Sequence, residues 1–159
     1  MRNLSKYVVL SLVAVLCFSA CSETDYLKFD ESHNGVYFTQ NKLKYSFSVT
    51  ADSIRSYLFK VPVQIMGRTS KAEREIAYRV NPDSTDAIEG VHYELGKAII
   101  APDSITGYIL VIIMRENFEG SYAEGYKAYR LYIELEENDN FIPTLDTLSQ
   151  ARLLQFDNA

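Results

Sequence analysis

The chain has no tryptophan, two histidines and two cysteines, and both cysteines fall within its first 21 residues. No thiol remains after Cys21, which excludes a disulfide framework and a thiolate metal site from the rest of the chain. His33 and His92 have no partner histidine nearby in sequence, so no histidine metal pair arises. No Gly-x-Ser-x-Gly elbow or phosphate-cradling glycine loop occurs. With 21 acidic residues against 16 basic ones, the chain also lacks the clustered positive charge that attracts nucleic acid. A glycosidase needs two carboxylates about 5 to 9.5 Å apart, and sequence alone nominates no such pair. The expectation is a chain that is not an enzyme and takes no cofactor.

Long apolar runs are also missing, with one short exception. Arg2 and Lys6 precede an uncharged run from Tyr7 to Ala20. As a helix that run reaches about 21 Å, short of the roughly 30 Å hydrocarbon core of a bilayer, so a permanent span is not expected. A basic start, a short apolar core and small residues at its end describe an export signal. Ser19 and Ala20 supply the small residues and Cys21 follows directly. Cys17 sits behind bulky Leu16 and reads as an apolar residue of the leader. A plain secretory signal, cut near Ala20, would leave Cys21 as a stray thiol. Removing residues 1–20 takes away two basic residues and no acidic ones, leaving a charge of −7 on a chain long enough for one domain with its own core. Residues 21–34 are polar and read as a tether, with residues 35–159 as the domain.

Within that domain the dominant signal is alternation at period two, the mark of half-buried strands. "KYSFSVT" places Tyr45, Phe47 and Val49 on one face. "YLFKVPVQI" does so with Tyr57, Phe59, Val61, Val63 and Ile65, while Pro62 marks an edge or a bulge. "REIAYRV" alternates through Ile76, Tyr78 and Val80 as one strand. "TGYILVIIM" is apolar on both faces, as expected in the middle of a fold. "KAYRLYIEL" turns Tyr129, Leu131, Ile133 and Leu135 inward and Arg130, Tyr132 and Glu134 outward. "GVYFT", "HYEL" running into "KAIIA", and "ARLLQF" are shorter candidates. Seven to eight strands in a chain of this size imply an all-β fold, two packed antiparallel sheets.

Two resemblances follow from these segments. "FSAC" resembles the lipobox of bacterial lipoproteins, departing from it at Phe18 where Leu is usual. It implies that Cys21 carries a diacylglyceryl group and becomes the new, acylated N-terminus. Two or more acyl chains hold a protein stably to a membrane. Ser22, Glu23 and Asp25 look like the acidic signal that sends lipoproteins of Bacteroidota to the outer face of the outer membrane. "AIEGVHYELGKAIIAPDSITGYILVIIM" with "YRLYIELEENDNF" resembles the Calx-beta group of immunoglobulin-like sandwiches. Together with the lipobox and "VYF", it is more closely similar to uncharacterised Bacteroidota surface lipoproteins, a domain of unknown function. Members are often encoded beside SusC-like and SusD-like glycan-import proteins, and many continue beyond the equivalent of "ARLLQF". The implied role is a non-catalytic accessory binding module of a polysaccharide-utilisation system. The alternative is a structural or adhesive surface module that binds protein partners by strand addition.

Individual site residues carry weaker signals. In "EGVHYEL", Gly90 permits a tight turn, Tyr93 packs inward beside Leu95 and His92 points out. Calx-beta relatives bind calcium through acidic loops, and "EENDNF" offers Glu136, Glu137 and Asp139 as hard oxygen ligands. The same residues also read as a solvated acidic turn, and "RENFEG" replaces the paired aspartates of those relatives. Saccharide recognition uses flat aromatic faces flanked by orienting polar groups. Most tyrosines fall on inward strand positions, whereas Tyr122 and Tyr126 sit in a glycine-containing connection. They are the candidate glycan platform; packing back on the sandwich edge is their ordinary role.

Overall fold

Every second residue from Tyr129 to Leu135 is buried, and the same holds from Val61 to Ile65 and from Gly107 to Ile113. Each such strand turns one row of apolar side chains toward a partner layer, and a buried Val, Leu, Ile or Phe contributes about 1.5–3 kcal/mol. The computed structural model describes residues 34–40, 43–121, 123–144 and 150–158. They belong to one unit, Glu31–Ala159, which contains the entire described core. The expected acylation site Cys21 and the candidate Tyr122 lie outside the described residues.

The described chain is an all-β sandwich. Its strands are β1 (Asn34–Phe38), β2 (Leu43–Ser46), β3 (Ser56–Met66), β4 (Arg74–Glu75), β5 (Tyr78–Val80), β6 (Tyr93–Ile100), β7 (Thr106–Met114), β8 (Gly120–Ser121), β9 (Gly125–Tyr126), β10 (Tyr129–Leu135), β11 (Phe141–Pro143) and β12 (Ala151–Asp157). Sheet one runs β11-β1-β3-β7-β6-β4 and sheet two runs β2-β12-β10-β5, with β8-β9 a separate hairpin. Pairing is antiparallel except between β1 and β11 and between β2 and β12. Val36, Val61, Ile109 and Val111 of sheet one meet Leu131, Ile133, Leu154 and Phe156 of sheet two in one core.

The chain crosses between sheets where alternation suggested continuous strands. "REIAYRV" is two strands: Arg74 and Glu75 pair with β6 in sheet one, whereas Tyr78–Val80 pair with β10 in sheet two. The crossing falls at Ile76 and Ala77, whose backbone bonds join Ala98 on one side and Glu136 on the other. "KYSFSVT" is a strand only as far as Ser46. Phe47–Val49 form a 3₁₀ turn in which Phe47 is buried and Val49 swings out to 91% exposure.

β3 lies inside sheet one, not at its edge, yet Pro62 still sits at a local edge. Ile65 N–H donates toward β7, at Ile105 O, so alternation turns the backbone of residues 58, 60, 62 and 64 to the opposite side. β1 pairs with β3 there only from Val63 to Met66, and Pro62 lies just past its end. Tyr57, expected inward, does face sheet two, where it stacks on Tyr45 of β2 at 4.0 Å, but near the start of β3 it remains 42% exposed. β7 is central as expected, but its outer row is only half covered, with Tyr108 43% exposed.

Candidate functional site

The outer face of sheet two carries a shallow cleft of about 280 Å³ lined by Arg79, Tyr132, Glu134, Leu135, Gln150 and Ala151. Strand register builds it. Arg79 lies opposite Glu134 across β5 and β10, and Glu134 lies opposite Ala151 across β10 and β12. These three side chains therefore form one cross-strand row, with Tyr132 two residues along β10 on the same face. Ala151 is the smallest member of the row and leaves its floor low.

Glu134 is held from two directions. Its Oε1 accepts from Asn81 Nδ2 at 2.7 Å and its Oε2 faces Arg79 Nη2 at 2.5 Å. Arg79 Nε also faces Glu136 Oε1 at 3.6 Å. The Arg79 side chain is 62% exposed and that of Glu134 20%, so one reaches into solvent while the other is anchored in the cleft wall. The segment after β5 bonds back onto β10. Asn81 Oδ1 accepts from Asp83 and Ser84 N–H, Asn81 N–H donates to Tyr132 O, and Thr85 Oγ1 accepts from Tyr132 N–H.

The residues singled out in sequence lie elsewhere. Tyr126, half-buried on β9, sits opposite Gly120 in the small hairpin. In the acidic turn, Asn138 Oδ1 accepts from Asn140 and Phe141 N–H and Asn138 Nδ2 donates to Glu75 O. Those bonds close the turn locally, and Glu136 faces Arg79. Among the described residues no group of three or more acidic, histidine or cysteine side chains converges, Glu136, Glu137 and Asp139 included.

His92 does not point out. It is 5% exposed, packs on Tyr129 at 4.1 Å between ring centres, and its Nδ1 accepts from Ile88 N–H at 2.9 Å. Alternation misplaced it because β6 begins only at Tyr93, so His92 still belongs to the turn and folds back over it. Gly90 does take the left-handed conformation, φ 75°, and Tyr93 is buried, as expected from "EGVHYEL".

Tyr132 and Glu134 were legible as outward residues of β10, but nothing marked them as a site. Their partners come from distant segments, and only the register of β5 and β12 brings Arg79 and Ala151 beside them.

A double-layered all-β domain with an open cleft on one sheet is thus the class of protein that fold and site define. The chain belongs to a family described as a domain of unknown function, DUF4843, whose model matches residues 21–159. A crystal structure from Bacteroides ovatus, titled as structural genomics of unknown function, is similar in fold, with a TM-score of 0.50 and 14% identity. The match covers 79% of this chain and 52% of that one, so this chain spans about half that protein's length. No curated protein matches.

Proposed function

We propose that the chain is a non-catalytic binding module, held at the outer face of the outer membrane by acylated Cys21 and serving as an accessory of a polysaccharide-utilisation system. Support for the anchor comes from "FSAC" and the acidic residues after it, and the family match begins at Cys21. The observation that carries the binding role is the cleft, where Tyr132 stands beside acceptors on Glu134 and donors on Arg79. Flat apolar surface with a few fixed polar groups suits ligand capture. Both nearby carboxylates, Glu134 and Glu136, face one guanidinium, which orients them as acceptors.

Metabolic labelling with radioactive palmitate, followed by protease treatment of intact cells, tests the anchor and the face. Label should enter the wild type, be lost in Cys21→Ala, and reside on a protein that external protease removes. Equal labelling of the variant would sink the anchor.

A second reading rests on the open side of β3. From Ser56 to Pro62 this strand pairs with β7, while β1 reaches only Val63. Among the described residues no strand pairs with it there, so Leu58 and Lys60 present backbone groups to an added strand. Hydrogen exchange at these two amides should slow on addition of outer-membrane extract if a partner strand docks. Unchanged exchange counts against strand addition.

A further inference from the structure

Resting on the binding-module reading, we propose that the cleft on sheet two is a saccharide site that takes one neutral pyranose ring, with a vicinal hydroxyl pair bridging Glu134 and Arg79 and a C–H face against Tyr132. The charges select the class. An anionic group that reached Arg79 would also meet Glu134 and Glu136, and a cation drawn to the carboxylates would meet the guanidinium. Either gains from one sign and loses to the other. A neutral group offering a donor and an acceptor on adjacent atoms uses both, and a vicinal diol is such a group.

The site is also prepared for that task. Each oxygen of Glu134 already holds one donor, so the carboxylate is fixed in place with lone pairs left for a hydroxyl. Arg79 commits Nη2 and Nε and keeps further N–H groups on its exposed fork. The bonds already made at both groups lower the ordering cost of capture. Tyr132 is half-buried, so it supplies apolar contact without a free rotamer to lose. The volume, about 280 Å³, lies just below the usual range of ligand sites, roughly 300–1,000 Å³, and suits one ring of a longer chain. Ala151 admits that ring; a large side chain there would occupy its place.

The test is an amide-resolved NMR titration of the Glu31–Ala159 unit with maltohexaose, xylohexaose, cellohexaose and mannohexaose, and with polygalacturonate as the charged counterpart. At least one neutral probe should shift the amides of Tyr132, Glu134 and Ala151, with affinity about millimolar. Arg79→Met, on an exposed side chain, should weaken that binding about tenfold, and Ala151→Trp should abolish it while the spectrum stays folded. Tyr132→Phe should retain binding, whereas Tyr132→Leu should lose about tenfold. Neutral binding that survives Arg79→Met and Ala151→Trp places the ligand elsewhere, overturning the cleft and sparing the module reading. Binding of polygalacturonate alone overturns the neutral class. Silence with every probe overturns both this site and saccharide capture, and leaves strand addition.

Discussion

Arg152, on the inward face of β12, donates from Nη2 to the carbonyl of Phe38 at 3.3 Å, the last residue of β1. Its Nε donates to Gln40 O and its Nη1 to Ala151 O at 2.7 Å. The guanidinium, in a residue 6% exposed, thereby satisfies carbonyls at the place where the chain leaves sheet one for sheet two. A fork of donors meets carbonyls at the end of β1, at the start of β12 and in the connection that follows β1. Arg152→Leu would remove all three donors from a buried site, and urea unfolding should show a loss of about 3 kcal/mol. A loss under about 1 kcal/mol would mean that the crossing holds without it.

Arg74 is buried to the same degree, 7% exposed, but differently placed. It stacks on Phe141 at 4.9 Å and donates from Nη1 to Arg68 O at 3.3 Å, while Nε and Nη2 have no hydrogen-bond partner among the described residues. Burial pushes its pKa below the ordinary value. Desolvating a charge costs more than one long hydrogen bond returns, and a methionine of similar length keeps contact with the ring. Arg74→Met should therefore be neutral or stabilise by about 1 kcal/mol, opposite in sign to the change at Arg152. A loss comparable to that of Arg152→Leu would refute the distinction between satisfied and unsatisfied guanidinium groups.

His92 should make the fold acid-sensitive. Burial lowers its pKa below the ordinary 6.5, the charge of Lys127 adds to that, and the bond with Asn117 together with Glu119 and Asp86 opposes it without prevailing. Nδ1 already accepts from Ile88 N–H, so a proton there would break the bond. The unfolded chain then binds the proton more readily than the folded one. Stability from neutral His92 is complete above the unfolded value and declines as pH falls from about 6.5 toward the lower folded value. Urea midpoints should drop across that window in the wild type and much less in His92→Phe, which retains a ring on Tyr129. Parallel pH profiles would rule out His92 as the source.

Local burial made most strands readable, since Tyr129–Leu135 and Val61–Ile65 alternate whatever they pair with. Sheet membership was not readable for the same reason. Ile76 is buried before the crossing and Tyr78 and Val80 pack on the core after it, so inward alternation runs through the change of sheet. Val49 failed because the strand gives way to a 3₁₀ turn after Ser46, whereas Tyr57 does turn toward sheet two, on Tyr45, but stays partly exposed at the start of β3. The apolar outer row of β7 suggested cover on both faces, whereas the described residues bury one. At the cleft, composition marked none of the residues, because a Tyr, an Arg and a Glu become a site only through non-local register and the small size of Ala151.

Asp86 should govern the cleft without touching a ligand. Its Oδ1 accepts from Arg130 N–H at 2.6 Å and its Oδ2 from Arg130 Nε at 2.9 Å, while its own N–H donates to Arg130 O at 3.1 Å. Burial alone would raise its pKa. The bonds from Arg130 and the charges of Arg130 and Lys127 outweigh this and hold it below the ordinary 3.8. Its contribution is therefore present above the unfolded value and lost as pH falls through the lower folded one. These bonds pin the segment carrying Asn81 and Thr85, which position Glu134 and Tyr132. At neutral pH, Asp86→Asn should cost about 1–2 kcal/mol, a deficit that shrinks in acid. The same change should weaken oligosaccharide binding severalfold through a less constrained Glu134, with Asn81→Ala matching the binding loss at smaller cost in stability. Unaltered affinity in both variants would show that Arg79 alone suffices to hold the carboxylate.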